Sequence, residues 1–198
     1  MSERVFITGA SSGLGAAMAR EYARRGATIG LAARRKRELE TLAGEIQQIG
    51  GKAYSYILDV TDFSGCREAA ESFLAAAGGI DFLIANAGVS GTDGITSNDL
   101  SKIKAILDTN ISGVVHILYA FLPSFRKQKS GRIAFISSVA GFRGLPGRSG
   151  YSASKVAVRF LADGWRPVLA RDGISLITIC PGFIETPMTD DHSFPMPF

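Results

Sequence analysis

Tyr151 and Lys155 lie four residues apart in Gly150-Tyr-Ser-Ala-Ser-Lys155. On a helix that spacing stacks them on one face, one turn above the other. A free phenol titrates near pH ~10, too high for ready proton exchange at neutral pH. A cation beside it favours the phenolate and lowers that value. The pair is thus one way to make a phenol act as a general acid or base. Alone, it is equally an exposed Tyr/Lys pair on an ordinary helix, so the reading depends on what else comes within reach. Ser138 follows an apolar run and could hydrogen-bond an oxygen on which charge grows. Its plain alternative is a serine capping its own turn. It is not a hydrolase nucleophile, because no G-x-S-x-G elbow surrounds it. Asn110 falls inside an apolar stripe from Ile103 to Phe125, and a buried amide must find partners. Two readings stay open for it: an amide that bends its helix around an ordered water, or one whose water feeds a proton to the site. His116 reads as a packing or surface residue, and His192 lies in the tail.

A second constellation is Thr8-Gly-Ala-Ser-Ser-Gly-Leu-Gly15. Its glycines Gly9, Gly13 and Gly15, with Ser11, Ser12 and Leu14, permit a tight turn whose N–H groups meet a pyrophosphate at a helix N-terminus. The spacing is not G-x-G-x-x-G. About 20 residues further on, an NAD site would carry an acid for the ribose. The sequence offers Ala32-Ala-Arg34-Arg35-Lys-Arg37 instead, with no acid before Glu38. A guanidinium fork suits a 2′-phosphate, so NADP(H) is expected over NAD(H). The plain alternative is a solvated, basic helix start. Asp59 could hydrogen-bond an adenine or cap the turn into Thr61-Asp62.

The elements that must position these residues alternate. Strands are expected at Val5–Ile7, Thr28–Ala32, Ala53–Leu58, Ile80–Ala85, Arg132–Ile136 and Ile174–Ile179. Helices are expected at Leu14–Arg25, Lys36–Ile49, Phe63–Ala77, Leu100–Lys129 and Ser149–Arg171. Such alternation implies an α/β, doubly wound, mostly parallel sheet of Rossmann type, with six strands and helices on both faces. The two long connections, Gly88–Asp99 and Val139–Gly150, lie where such sheets bind ligands. Pro167 inside the last helix predicts a kink or a restart.

The 198 residues are 46% hydrophobic and 20% charged, enough for one well-buried core, and are expected to form a single domain, 1–198. Net charge is +4, with no dense basic patch interleaved with aromatics, so a nucleic-acid partner is not expected. Salt-sensitive duplex binding through Arg34–Arg37 would be its mark. Cys66 and Cys180 match no metal or redox spacing, no metal site is expected, and a reducing, cytoplasmic setting fits. No signal peptide is expected, because charged Glu3 and Arg4 precede only a short apolar strand, and no membrane span is expected, because no apolar run approaches ~20 residues.

The motifs together resemble the short-chain dehydrogenases/reductases: the Thr8–Gly15 turn, Asp59-Val60, Ala85-Asn86-Ala87-Gly88, Asn110, Ile136-Ser-Ser138, Tyr151-x-x-x-Lys155 and Pro181-Gly182, in that order. The resemblance implies hydride transfer between a nicotinamide and a small-molecule carbonyl or alcohol. It implies Tyr151 as general acid/base and Lys155 as the group that lowers its pKa and holds the nicotinamide ribose. Ser138 would bond the substrate oxygen, and Asn110 would hold a relay water against Lys155. Asn86 would steady the central strand and help shape the cofactor floor. The Pro181-Gly182 turn and Thr186 would lie by the nicotinamide carboxamide. It also implies a homo-oligomer, dimer or tetramer, through the two long helices. Members run about a quarter longer, so the C-terminal strand and substrate lid are expected to be missing and the sheet to have an exposed edge. A catalytically impaired NADP(H)-binding sensor or scaffold is the competing function.

Overall fold

A computed structural model describes residues 2–188. Six strands form one sheet: β1 (Arg4–Thr8), β2 (Thr28–Ala33), β3 (Lys52–Ile57), β4 (Phe82–Ala85), β5 (Gly131–Ile136) and β6 (Ile174–Ile179). Their order is β3-β2-β1-β4-β5-β6, and every neighbouring pair is parallel. Parallel neighbours need crossovers, supplied here by α1 (Gly13–Arg24), α2 (Lys36–Gln48), α3 (Phe63–Ala77), α4 (Leu100–Leu107), α5 (Gly113–Gln128) and α6 (Ser149–Arg171). The expected fold class is what forms, and the sheet is wholly parallel.

β1 and β2 are apolar along most of their length, as strands covered on both faces must be. One core, against α3, α5 and α6, centres on Phe6, Phe73, Phe121 and Phe135. The other, against α1 and α2, centres on Val5, Ile7, Leu39 and Ile46. The strand order reverses direction between β1 and β4, so their crossovers leave on opposite faces. A crevice opens there at the carboxyl ends of the strands.

Three local expectations need correction. The fourth strand begins at Phe82 rather than Ile80, because Ile80 serves the preceding turn: its N–H and C=O bond the Gln128 side chain. The long helix is not regular. Residues Asp108–Ser112 form a π-helical turn between α4 and α5. α6, by contrast, runs unbroken to Arg171 with Pro167 inside it. Leu169, 3% exposed, anchors the last turn in the core, and Arg166 Nε donates to the Leu176 carbonyl at 3.0 Å, so packing outweighs the lost backbone bond.

Residues 100–128 are long enough to cross a membrane and contain an 18-residue window apolar enough to do so, with a mean hydropathy of 1.5. The sequence reading did not expect such a segment. The same features suit a helix laid on a sheet, and Val114, Ile117, Phe121 and Phe125 are indeed buried in the core. Residues 189–198, with His192 and the expected lid and seventh strand, lie outside the described residues. Among the described residues β6 is an edge strand.

Phe73 is fully buried and meets the rings of Phe6, Tyr54, Tyr56 and Phe121. Phe73→Ala is expected to lower the unfolding free energy by about 3–5 kcal/mol, measured by urea titration.

Candidate active site

The crevice is built from β1 and β4. Thr8 ends β1 with its hydroxyl buried, where it accepts the Asn86 and Ala87 N–H groups at 3.0 Å each. Asn86 Nδ2 returns a bond to the Thr8 carbonyl at 2.9 Å. This exchange holds the two strand ends at the distance that forms the crevice floor. Over it runs the glycine turn. Gly9 has φ +67, and a Cβ there would lie 2.9 Å from the Ala87 Cα. At Gly15 a Cβ would run into the Gly9 carbonyl and the Asn86 amide. Only glycine leaves this turn open beside a helix N-terminus, where N–H groups point outward. The turn therefore fits a pyrophosphate.

One cleft of about 480 Å³ gathers nearly every residue expected at the site. It is lined by Gly9, Ser11 to Gly15, Arg34, Arg35, Asp59, Val60, Asn86 to Gly88, Ser138, Tyr151, Lys155, Pro181, Gly182 and Thr186. Asn110 lies behind the wall, fully buried in the π-helical turn. Its Oδ1 accepts Val89 N–H at 2.8 Å. Its Nδ2 donates to the Val89 carbonyl and to Ser154 Oγ, at 3.0 Å each. The amide thus grips the loop after β4 and helix α6 together.

At the ribose end, Arg35 donates through Nε and Nη2 to Ser11 Oγ at 3.1 and 2.9 Å, and through Nη2 to Ser12 Oγ. Its guanidinium reaches back over the glycine turn. Arg34 Nη1 stands 3.7 Å from Asp59. Asp59 takes the capping role, accepting Thr61 N–H at 2.9 Å and its hydroxyl at 2.8 Å.

At the other end Tyr151 and Ser138 line the same part of the cleft, near enough for the serine hydroxyl to favour the phenolate. Ser138 caps its own turn, accepting Ala140 N–H at 3.1 Å, and it also lines the cleft. Lys155 Nζ lies 5.5 Å from the Tyr151 ring centroid and donates to the Ile136 carbonyl at 2.9 Å. Burial pushes this lysine down to about 8, partly offset by attraction to Cys180. The Tyr151 phenol stands above its ordinary value, chiefly from burial, while the Ser138 hydroxyl and the charge of Arg148 pull it back. The expected cation is present, yet its bond goes to the Ile136 carbonyl, and Arg148 is the charge that acts on the phenol.

Sequence reasoning missed several participants. Thr8, Val89, Ser137 and Ser154 are buried or half-buried at the site, and Ser137 Oγ donates to the Lys155 carbonyl at 2.8 Å. Thr8 stood in the quoted turn and Ser154 in the Tyr-x-x-x-Lys run, but nothing in their spacing showed a bond. His116 packs, with Nδ1 2.9 Å from the Val60 carbonyl. Among the described residues no group of three or more His, Cys, Asp or Glu could hold a metal.

A doubly wound parallel sheet with a phosphate-fitting turn and a phenol–serine pair in one cleft defines a dinucleotide-fold oxidoreductase. The comparisons narrow the class. The profile described as "short chain dehydrogenase" matches residues 3–194. An uncharacterised oxidoreductase of Myxococcus xanthus is 40% identical over 192 residues, spanning 97% of this chain and 76% of that protein. Two crystal structures superpose well. A short chain dehydrogenase/reductase from Burkholderia phymatum in complex with NAD has a TM-score of 0.91 at 28% identity, covering 96% of this chain and 68% of that one. An alcohol dehydrogenase from Thermococcus sibiricus complexed with 5-hydroxy-NADP has a TM-score of 0.85 at 30% identity, covering 92% and 77%. The chain belongs to the short-chain dehydrogenase/reductase family and is an oxidoreductase of that family.

The Lys155 shift has a thermodynamic consequence. Below pH about 8 both folded and unfolded chains carry this proton. Between about 8 and 10.5 the unfolded chain keeps a proton that the folded one sheds, so this lysine makes stability rise with pH there, by up to about 1.4 kcal/mol per unit. Burial pushes the Cys66 thiol up to about 12, which acts oppositely at alkaline pH, so the measurement is a difference. Urea unfolding of the wild type minus that of Lys155→Met is expected to rise between pH 8 and 10.5.

Proposed function

We propose that this chain is an NADP(H)-dependent reductase/dehydrogenase interconverting a secondary alcohol and a ketone or aldehyde. The observation that carries the proposal is that Tyr151, Ser138 and Lys155 share one cleft with the glycine turn. When bound, the nicotinamide supplies or accepts the hydride. The chain's residues do the rest. Ser138 donates to the carbonyl oxygen as charge grows there, and Tyr151 gives that oxygen its proton. In the alcohol direction Tyr151 takes the proton. Lys155, almost fully buried, would hold the ribose hydroxyls beside the nicotinamide, and its charge would then lie where it could favour the phenolate. Ser137 and the Ile136 carbonyl hold its backbone and ammonium. A cofactor ribose would offer that ammonium new acceptors closer to the phenol.

Arg35 supports the choice of NADP(H) over NAD(H). It already lies across Ser11 and Ser12, and the first acid after β2 is Glu38, 3.9 Å from the Arg35 guanidinium. Of the two nicotinamide complexes described above, one carries NAD and the other an NADP derivative. The chain works as one domain holding both cofactor and catalytic groups. Exposed Tyr119, Phe160 and Val168 on α5 and α6 support a homo-oligomer.

Two measurements test this reading. With NADPH and a panel of small ketones and aldehydes, Tyr151→Phe should lose essentially all turnover while its NADPH dissociation constant stays within about twofold of wild type. Retained turnover would overturn the assignment. In fluorescence titrations the wild type should bind NADPH more tightly than NADH, and Arg35→Ala should reduce that ratio by about tenfold or more. Equal affinities in the wild type would sink the NADP(H) preference.

A further inference from the structure

Helix α6 begins without a cap of its own. Its N-cap residue is Arg148, whose side chain makes no capping bond, and its first turn has no acid. The first N–H groups of a helix have no intrahelical acceptor, and helix ends are the first parts to open. Tyr151 is the third residue of this helix, so its weakest turn carries the phenol.

The acceptor comes from another loop. Asp93, between β4 and α4, is 6% exposed. Its Oδ2 accepts Ser149 N–H at 2.7 Å, and the nearby Gly150 N–H and Ser149 hydroxyl also favour its charge. Oδ1 accepts Ile95 N–H at 3.4 Å, and the Asp93 N–H donates to the Gly147 carbonyl at 3.0 Å. Burial opposes the charge, but these donors outweigh it and hold the carboxyl below its usual range. The same loop is joined to α6 twice more, by Arg148 Nη1 to Ser90 Oγ at 3.1 Å and by the Asn110 amide between Val89 and Ser154. Gly150 allows the close approach: a Cβ there would lie 2.9 Å from Ile103 Cγ1 and 3.5 Å from Asp93 Cβ.

We propose that Asp93 is a positioning residue for the reaction: by capping α6 from the loop after β4, it fixes the phenol where Tyr151 and Ser138 meet one substrate oxygen. The proposal rests on the role given to Tyr151 above. The loop that provides the cap begins at Asn86–Gly88 in the cleft wall. One segment therefore sets both the cleft wall beside the glycine turn and the height of the phenol above it.

The test compares Asp93→Ala and Asp93→Asn in the full chain, with turnover counted per NADPH-binding site. A group that acts only through transition-state geometry lowers kcat and leaves KM alone. Asp93→Ala should lower kcat about tenfold or more, with substrate KM and NADPH affinity within about twofold of wild type. Asp93→Asn keeps the shape and one acceptor oxygen, and its kcat should fall between the two. Amide hydrogen exchange at residues 149–152 should follow the same order, while residues 158–170 exchange as in wild type. Unchanged turnover per site in Asp93→Ala, or a raised KM with intact kcat, overturns the proposal. Should Asp93→Ala not fold, Asp93→Asn decides: faster exchange at 149–152 supports the cap, and wild-type exchange refutes it. A wild-type chain that reduces nothing in the panel would defeat the reading of Tyr151, while the exchange data still decide whether Asp93 caps the helix.

Discussion

The site depends on the Thr8 hydroxyl. Where β1 and β4 part, both strands run out of sheet partners, and backbone groups beyond them must be satisfied some other way. The Thr8 hydroxyl takes two N–H groups of the Asn86–Ala87 turn, and Asn86 answers with its side-chain amide. The crevice is thereby held open by hydrogen bonds rather than filled by side chains. The glycine turn can then lie against Asn86 with no Cβ between them. A bulkier turn would close the gap, and a missing hydroxyl would leave buried donors without acceptors.

Much of this was legible because it is local. The glycine turn declares itself by composition, and Tyr151 and Lys155 by a spacing that any helix converts into a shared face. The alternation of short apolar runs and amphipathic stretches gave the parallel sheet. What stayed hidden depends on partners distant in the chain. Asp93 meets Ser149 across 56 residues, and in the sequence it is one acid in a polar loop. Asn110 did announce itself as an amide in an apolar stripe, but its grip on Val89 and Ser154 needed the fold. Pro167 misled because a penalty belonging to isolated helices was offset by burial of Leu169. Asp59 was named for two roles, and only the fold showed the one it takes with Thr61.

Lys155 shows a cost that function imposes on stability. Burial makes its charged form unfavourable enough to bring its proton within reach of mildly alkaline pH. Its relief comes from a carbonyl at 2.9 Å, the Tyr151 ring at 5.5 Å and the neighbouring Cys180 sulfur. An apolar side chain of similar volume would satisfy the packing more cheaply. A buried ammonium at this point is what the proposed ribose-holding role would require.

The π-helical turn at Asp108–Ser112 has a consequence beyond its one amide. A wide turn adds a residue without adding a full step of rotation, so the apolar stripe changes phase across it. Upstream, Ile103 faces Gly150 of α6. Downstream, Val114, Phe121 and Phe125 face the core beside α3. A single unbroken rod could not serve both neighbours at those angles. The dislocation lets one helix answer to two surfaces, with its hydrogen-bonding defect placed where an amide already has work to do.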